Sequence, residues 1–192
     1  AVTLNNPTIG AYTTAGIAEV GATAKDVGTA KAVTVTGLSV TSSSNGSIQV
    51  YGYAPTASTV TATLGEITPA TVKIVGAKTY DGTTSLASSQ VTLTGVTVDG
   101  VTETLTYSGS PVSSNQNVIT SGKYVSGIAA LANAIDGSGG KASNYILPSQ
   151  TVASSNNTVA ISAATASLNA EKVYDGSLGL TSAQLRITGV TV

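Results

Sequence analysis

The sequence predicts an all-β fold, with tandem antiparallel β-sandwich or β-grasp-like modules of about 94 residues arranged end to end. Three observations carry that expectation. The first is an internal repeat. Lys78-Thr79-Tyr80-Asp81-Gly82 returns as Lys172-Val173-Tyr174-Asp175-Gly176, and Leu93-Thr94-Gly95-Val96-Thr97-Val98 returns as Ile187-Thr188-Gly189-Val190-Thr191-Val192, each 94 positions later. Tyr51 and Tyr145, and Ile67 and Ile161, keep the same spacing. A constant long period marks an array of similar modules. The second is alternation of apolar and polar residues with period two, the mark of strands with one buried face. The third is composition: 41% hydrophobic residues, largely Val, Ala, Ile and Leu, with no Phe, Trp, Met, Cys or His. Val and Thr pack well on a pleated surface.

In chain order, the alternation predicts strands over Val33–Thr36, Ser47–Tyr51, Val60–Leu64, Val91–Thr94 and Leu185–Thr188. Turn chemistry separates them at Ser44-Asn45-Gly46, Asp81-Gly82, Asp99-Gly100 and Asp136-Gly137, residue pairs that tolerate positive φ. No window has the period of a helix; Ile128–Ile135 reads as a single turn or a strand. At Gly37, Gly95 and Gly189, and more weakly at Gly127, the apolar set changes phase. A glycine at such a slip predicts either a β-bulge or a strand passing from one sheet to another.

Junctions fall best at Ile67-Thr68-Pro69-Ala70-Thr71 and Ile161-Ser162-Ala163-Ala164-Thr165, where small residues break two strand-like runs. Residues 1–70 then read as the C-terminal part of a module, 71–164 as a complete module and 165–192 as the N-terminal part of the next. The alternative is two permuted modules, 1–98 and 99–192. If 165–192 begins a module, it is expected to join residues 1–70 of a following unit head to tail, covalently or by strand addition to an open sheet edge.

Composition also narrows function. Charged residues are 9% of the chain and the net charge is −1, which leaves no electrostatic footprint for nucleic acid. The most apolar stretch, Val125–Ile135, is broken by Ser126, Gly127 and Asn133, short of the roughly 20 apolar residues of a spanning helix. Without Cys there is no disulfide framework. Without His or Cys, the usual nucleophile–base pairs and zinc sites are absent. The nine carboxylates form no close pair in sequence, so no catalytic, cofactor-binding or metal-binding residue is assigned and an enzyme is not expected.

Asp81 and Asp175 occupy equivalent turns and are read as Asx residues capping their own backbone, with Tyr80 and Tyr174 as core or collar residues beside them. No cofactor is expected. The one metal considered is a structural calcium, for which Asp136-Gly137-Ser138-Gly139-Gly140 supplies a single carboxylate where six to eight oxygens are needed, with Glu66 or Asp81 as contributors at a junction. Lys78, Asn144 and Asp81 are the residue types of a Lys–Asn amide crosslink with a carboxylate shuttle, although a strand-end lysine explains Lys78 equally well. Asn45-Gly46-Ser47 and Asn156-Asn157-Thr158 match the glycosylation acceptor pattern, a match that polar loops give by chance.

Lys78-x-Tyr80-Asp81-Gly82-Thr83-Thr84, Asp26-Val27-Gly28-x-x-Lys31-x-Val33-x-Val35-x-Gly37-Leu38-Ser39 and Asn144-Tyr145-x-Leu147 together resemble the YDG repeat. Such repeats, with the related mostly-β-grasp modules, occur in large bacterial surface adhesins of the filamentous-haemagglutinin type. The copies have diverged: Ser177-Leu178 follows the second Tyr-Asp-Gly, and Asn117-Val118 stands where Asp26-Val27 would. The resemblance implies a secreted protein at the bacterial cell surface, acting in adhesion, aggregation or biofilm, with neighbouring copies of the same protein as partners. The alternative is a carbohydrate-binding module, in which exposed Tyr51, Tyr53 and Tyr107 stack on surface glycans.

Overall fold

The structure, a computed structural model, describes residues 2–4, 8–14 and 25–189, the first two stretches as backbone only. It is all-β: apart from three single 3-10 turns, every regular element among the described residues is a strand. The chain divides between Pro69 and Ala70 into two compact units.

The first unit holds β1 (Val2–Leu4), β2 (Thr8–Thr14), β3 (Gly28–Thr36), β4 (Val40–Asn45), β5 (Ile48–Gln49) and β6 (Thr59–Ile67). They form two antiparallel three-stranded sheets, ordered β1-β4-β5 and β2-β3-β6. The strand expected over Ser47–Tyr51 is confined to Ile48–Gln49, with one further in-register bond from the Val50 amide to the Ser43 carbonyl. At Gly37 the sheet-crossing reading holds: β3 ends at Thr36 and the chain re-enters structure as β4 in the other sheet. Among the described residues of this unit, Ala32 is the single buried apolar side chain, and Lys31 and Ser43 are its buried polar ones.

The second unit holds β7 (Ala70–Thr71), β8 (Lys73–Thr79), β9 (Val91–Val98), β10 (Val101–Ser113), β11 (Val125–Ala132), β12 (Tyr145–Ile146), β13 (Asn157–Ser162), β14 (Ser167–Ala170) and β15 (Leu185–Thr188). Its main sheet runs β11-β10-β9-β8-β13. The all-antiparallel expectation needs correction here, since β13 lies parallel to β8 and β12 parallel to β7. A parallel neighbour needs a long crossover, and the chain between β8 and β13 supplies one that itself contains β9 to β12. Strict alternation in β8 and β13 puts Ile74, Gly76, Lys78, Asn157, Val159 and Ile161 on the buried face. They close on Val72, Leu93, Leu105, Val125 and Tyr145 in one core.

Local sequence explains the details of this sheet. Asp99 and Gly100, both at positive φ, make the two-residue connection from β9 to β10, the turn whose twist suits a hairpin. At Gly95 the bulge reading holds: Thr97 faces Thr102 and Thr94 faces Thr104, so Gly95 and Val96 together oppose Glu103. A second bulge sets Ser110 and Pro111 opposite Gly127, a place where proline's missing N–H costs no ladder bond. The ambiguous Ile128–Ile135 begins inside β11 as strand.

Candidate functional site

The hairpin from β8 to β9 is pinned by a lysine clamp. Lys78 Nζ is buried and donates to the carbonyls of Thr83 (3.0 Å) and Ser85 (2.8 Å) and to Thr83 Oγ1, while pairing with Asp81 at 2.6 Å. Asp81 Oδ1 also accepts the Thr83 amide, the expected Asx turn. The Lys78 ammonium and then the Thr83 amide hold the Asp81 carboxyl down at about 2. With its folded value below the ordinary aspartate value, this carboxylate stabilises the turn in full above about pH 4 and loses that contribution as pH falls toward 2. A 3-10 turn then leads into β9, with Gln90 Oε1 accepting the Ala87 amide.

Two buried polar contacts lock the remaining strands onto this hairpin. Tyr145 lies over Gly95; its hydroxyl donates to Glu103 Oε2 at 2.7 Å and accepts the Val96 amide at 3.0 Å. A Cβ on Gly95 would stand 2.2 Å from the tyrosine oxygen, so only glycine fits beneath the ring. Burial, together with the Glu103 bond, raises the Tyr145 phenol above its ordinary value. Across the sheet, fully buried Asn157 accepts the Val125 amide and donates to the carbonyls of Val125 and Ser149. Two residues on, the Val159 amide donates to the Lys123 carbonyl. Sequence reasoning missed Asn157, which sits in a segment read as a chance acceptor motif. Its position on the apolar face of an alternating strand was the available signal.

The hairpin then recurs. β14 and β15 pair Ser167 with Thr188, Leu168 with Ile187, Asn169 with Arg186 and Ala170 with Leu185. All four pairs lie 94 residues beyond Lys73–Thr94, Ile74–Leu93, Val75–Thr92 and Gly76–Val91 of β8 and β9. Lys172 Nζ donates to the carbonyls of Ser177 and Gly179 and to Ser177 Oγ, and pairs with Asp175 at 2.7 Å, which lowers the Asp175 carboxyl. Gln184 caps its own 3-10 turn through the Thr181 amide, as Gln90 does through Ala87. What differs is the cover. Ile74 and Leu93 are 0% and 2% exposed; their counterparts Leu168 and Ile187 are 66% and 73% exposed. Tyr145 is 6% exposed; its counterpart Tyr51 is 84% exposed.

The other residues singled out in the sequence fall as follows. Tyr80 packs at the margin of the core, but Tyr174 is 94% exposed, which corrects its reading as a collar residue: its turn is formed and the strands that would cover it are not against it. Tyr107 is also corrected. It packs on the core with its hydroxyl buried and without a hydrogen-bond partner among the described residues, whereas Tyr51 and Tyr53 are exposed. Asp136 does not stand open as a ligand. Its oxygens accept Thr104 Oγ1 at 2.6 Å and the Ser138 amide, and these bonds hold its carboxyl at about 2. Ser138 Oγ accepts the Thr104 amide, so the loop is stitched to β10. No group of three acidic, Cys or His side chains gathers among the described residues. The partners of Lys78 Nζ are Thr83, Ser85 and Asp81, and Asn144 is not one of them.

Comparison with known proteins identifies the central module. No curated protein and no solved structure matches the chain. The YDG domain matches residues 61–153, from within β6 to the loop before β13, and the chain therefore carries a module of the YDG type.

Proposed function

We propose that this chain is a structural and adhesive repeat segment of a secreted bacterial surface protein or extracellular fibre, built from tandem modules of about 94 residues. Its task in this reading is reach, stiffness and attachment between cells or to a surface, and its partners are neighbouring modules of the same kind. The observation that carries the reading is the second hairpin, which repeats the strand register, the lysine clamp and the 3-10 cap of the first at a constant offset. The junction supports it. β6 ends at Ile67 and β7 begins at Ala70, with Pro69 between, too short a link to act as a flexible coil.

The experiment is surface display of one, two and three fused copies on a non-adherent bacterium. Fibre length in electron micrographs and the rate of cell settling should both rise stepwise with copy number. Compact particles and unchanged settling would contradict the proposal. A second reading rests on Tyr51 and Tyr53, which line a shallow cleft with Ser42, Ser43 and Gln49, an arrangement suited to stacking on a sugar. Dispersal of the cells by a soluble glycan, abolished in Tyr53→Ala, would favour that alternative.

A further inference from the structure

We infer that the Gln150 side chain closes the outer edge of β11 against strand addition, and that the partner it excludes is the same edge of a second copy of this chain. The inference does not depend on the repeat reading. Among the described residues β11 is the end strand of the main sheet, with β10 on its inner side. An end strand offers backbone N–H and C=O groups to any extended segment that meets it. Val125–Ala132 holds no charged residue and no proline, a composition that favours pairing between chains.

Two side-chain amides occupy that edge where a further strand would lie. Asn157 Oδ1 accepts the Val125 amide at 2.8 Å, and Asn157 Nδ2 donates to the Val125 carbonyl at 2.9 Å. Gln150 repeats the arrangement at Ile128. Its Oε1 accepts the Ile128 amide at 2.9 Å, and its Nε2 donates to the Ile128 carbonyl at 2.8 Å. Each primary amide thus exchanges both bonds with one backbone residue, as the opposed residue of an antiparallel neighbour does. A backbone N–H has one hydrogen to give, so the Ile128 amide serves Gln150 and not β10. The Ile128 side chain is 4% exposed, and its burial fixes the backbone groups in place at the edge.

The two plugs differ in what holds them. Asn157 is fully buried and belongs to the seam of β13 with β11, beside the bond from the Val159 amide to the Lys123 carbonyl. β13 begins at Asn157 and has no residue to offer Ile128. Gln150 reaches Ile128 from the segment between β12 and β13 and is only half-buried, so its two bonds are the displaceable ones. A two-fold axis beside Ile128 sets two copies of β11 antiparallel, each supplying the groups the other lacks once Gln150 is withdrawn. Such a contact is isologous and closes as a dimer. The intact chain must first give up two Gln150 bonds per copy, which holds the pairing back.

Sedimentation of the 192-residue chain and amide exchange at Ile128, each over a range of concentrations, test this. Wild type should keep the Ile128 amide protected at every concentration. Gln150→Ala should expose it in dilute solution and regain protection as concentration rises, with self-association strengthened by about 100-fold. Gln150→Asn keeps the polarity but falls one methylene short of the edge; it should behave in the same way and carries the test if the alanine variant folds poorly. Adding Ala130→Lys, a charge on an exposed residue of β11, should return Gln150→Ala to wild-type association. An Ile128 amide still protected in dilute Gln150→Ala would overturn the role of Gln150. Association of the Gln150 variants no stronger than wild type, or association that Ala130→Lys leaves intact, would overturn the pairing with a second copy.

Discussion

Replacing Gly95 with valine should lower the melting temperature of the central module by about 12–24 °C, the equivalent of about 3 kcal/mol in a domain of this size. The cause is steric and then polar. A Cβ at 95 meets the Tyr145 hydroxyl at 2.2 Å and its ring carbons at 2.3 and 2.7 Å. The ring must leave, which opens a core position and takes the hydrogen-bond partner from the Val96 amide and from Glu103. Expelling a buried aromatic and orphaning a buried amide are each among the few changes that destabilise by several kcal/mol. The same substitution at Gly189, in an equivalent stretch of sequence, should leave melting unchanged, because among the described residues no side chain stands over it as Tyr145 stands over Gly95. Differential scanning calorimetry of the two variants in dilute solution checks both halves.

The second large effect is expected at Asn157. Its amide hydrogen-bonds β13 to β11, through the Val125 amide and carbonyl, and also reaches the Ser149 carbonyl. Asn157→Ala removes three hydrogen bonds in a site with no solvent access and should destabilise the module by about 3 kcal/mol, since each buried polar group left without a partner costs about 1–3 kcal/mol. Asn157→Asp, with the same shape, should be worse at neutral pH, because a carboxylate there faces two carbonyl oxygens. Lowering the pH should restore part of the loss, as protonation gives the carboxyl a donor. Urea denaturation of the three forms at pH 7 and pH 5 measures the order. Equal stability of Asn157→Ala and the parent would remove the seam from the account of the fold.

The all-β class was legible because it depends on local rules: β-branched alternation fixes strands, and Asp99-Gly100 fixes a hairpin whatever surrounds it. The bulge at Gly95 was legible as a phase slip, but its reason was not. Gly95 and Tyr145 are 50 positions apart, and no periodicity joins them. Parallel pairing of β8 with β13 was likewise hidden, since alternation within a strand says nothing about the direction of its neighbour. Asp81 was read correctly as a turn residue from the Asp-Gly pair, whereas the burial of Lys78 beside it depends on the chain folding back over the ammonium. Tyr174 failed for the opposite reason: its local sequence repeats that of Tyr80, but burial is set by strands elsewhere, and these do not cover it.

Residue-resolved amide exchange across both hairpins tests most directly whether the second is the first without its cover. In dilute solution the ladder amides of Val75 and Thr92 should exchange only on global unfolding, and those of Asn169 and Arg186 should exchange through local opening, at least about 100-fold faster despite the same ladder. Equal protection of both pairs in the dilute monomer would contradict this picture, because it would mean that the Ser167–Thr188 hairpin needs no further strands.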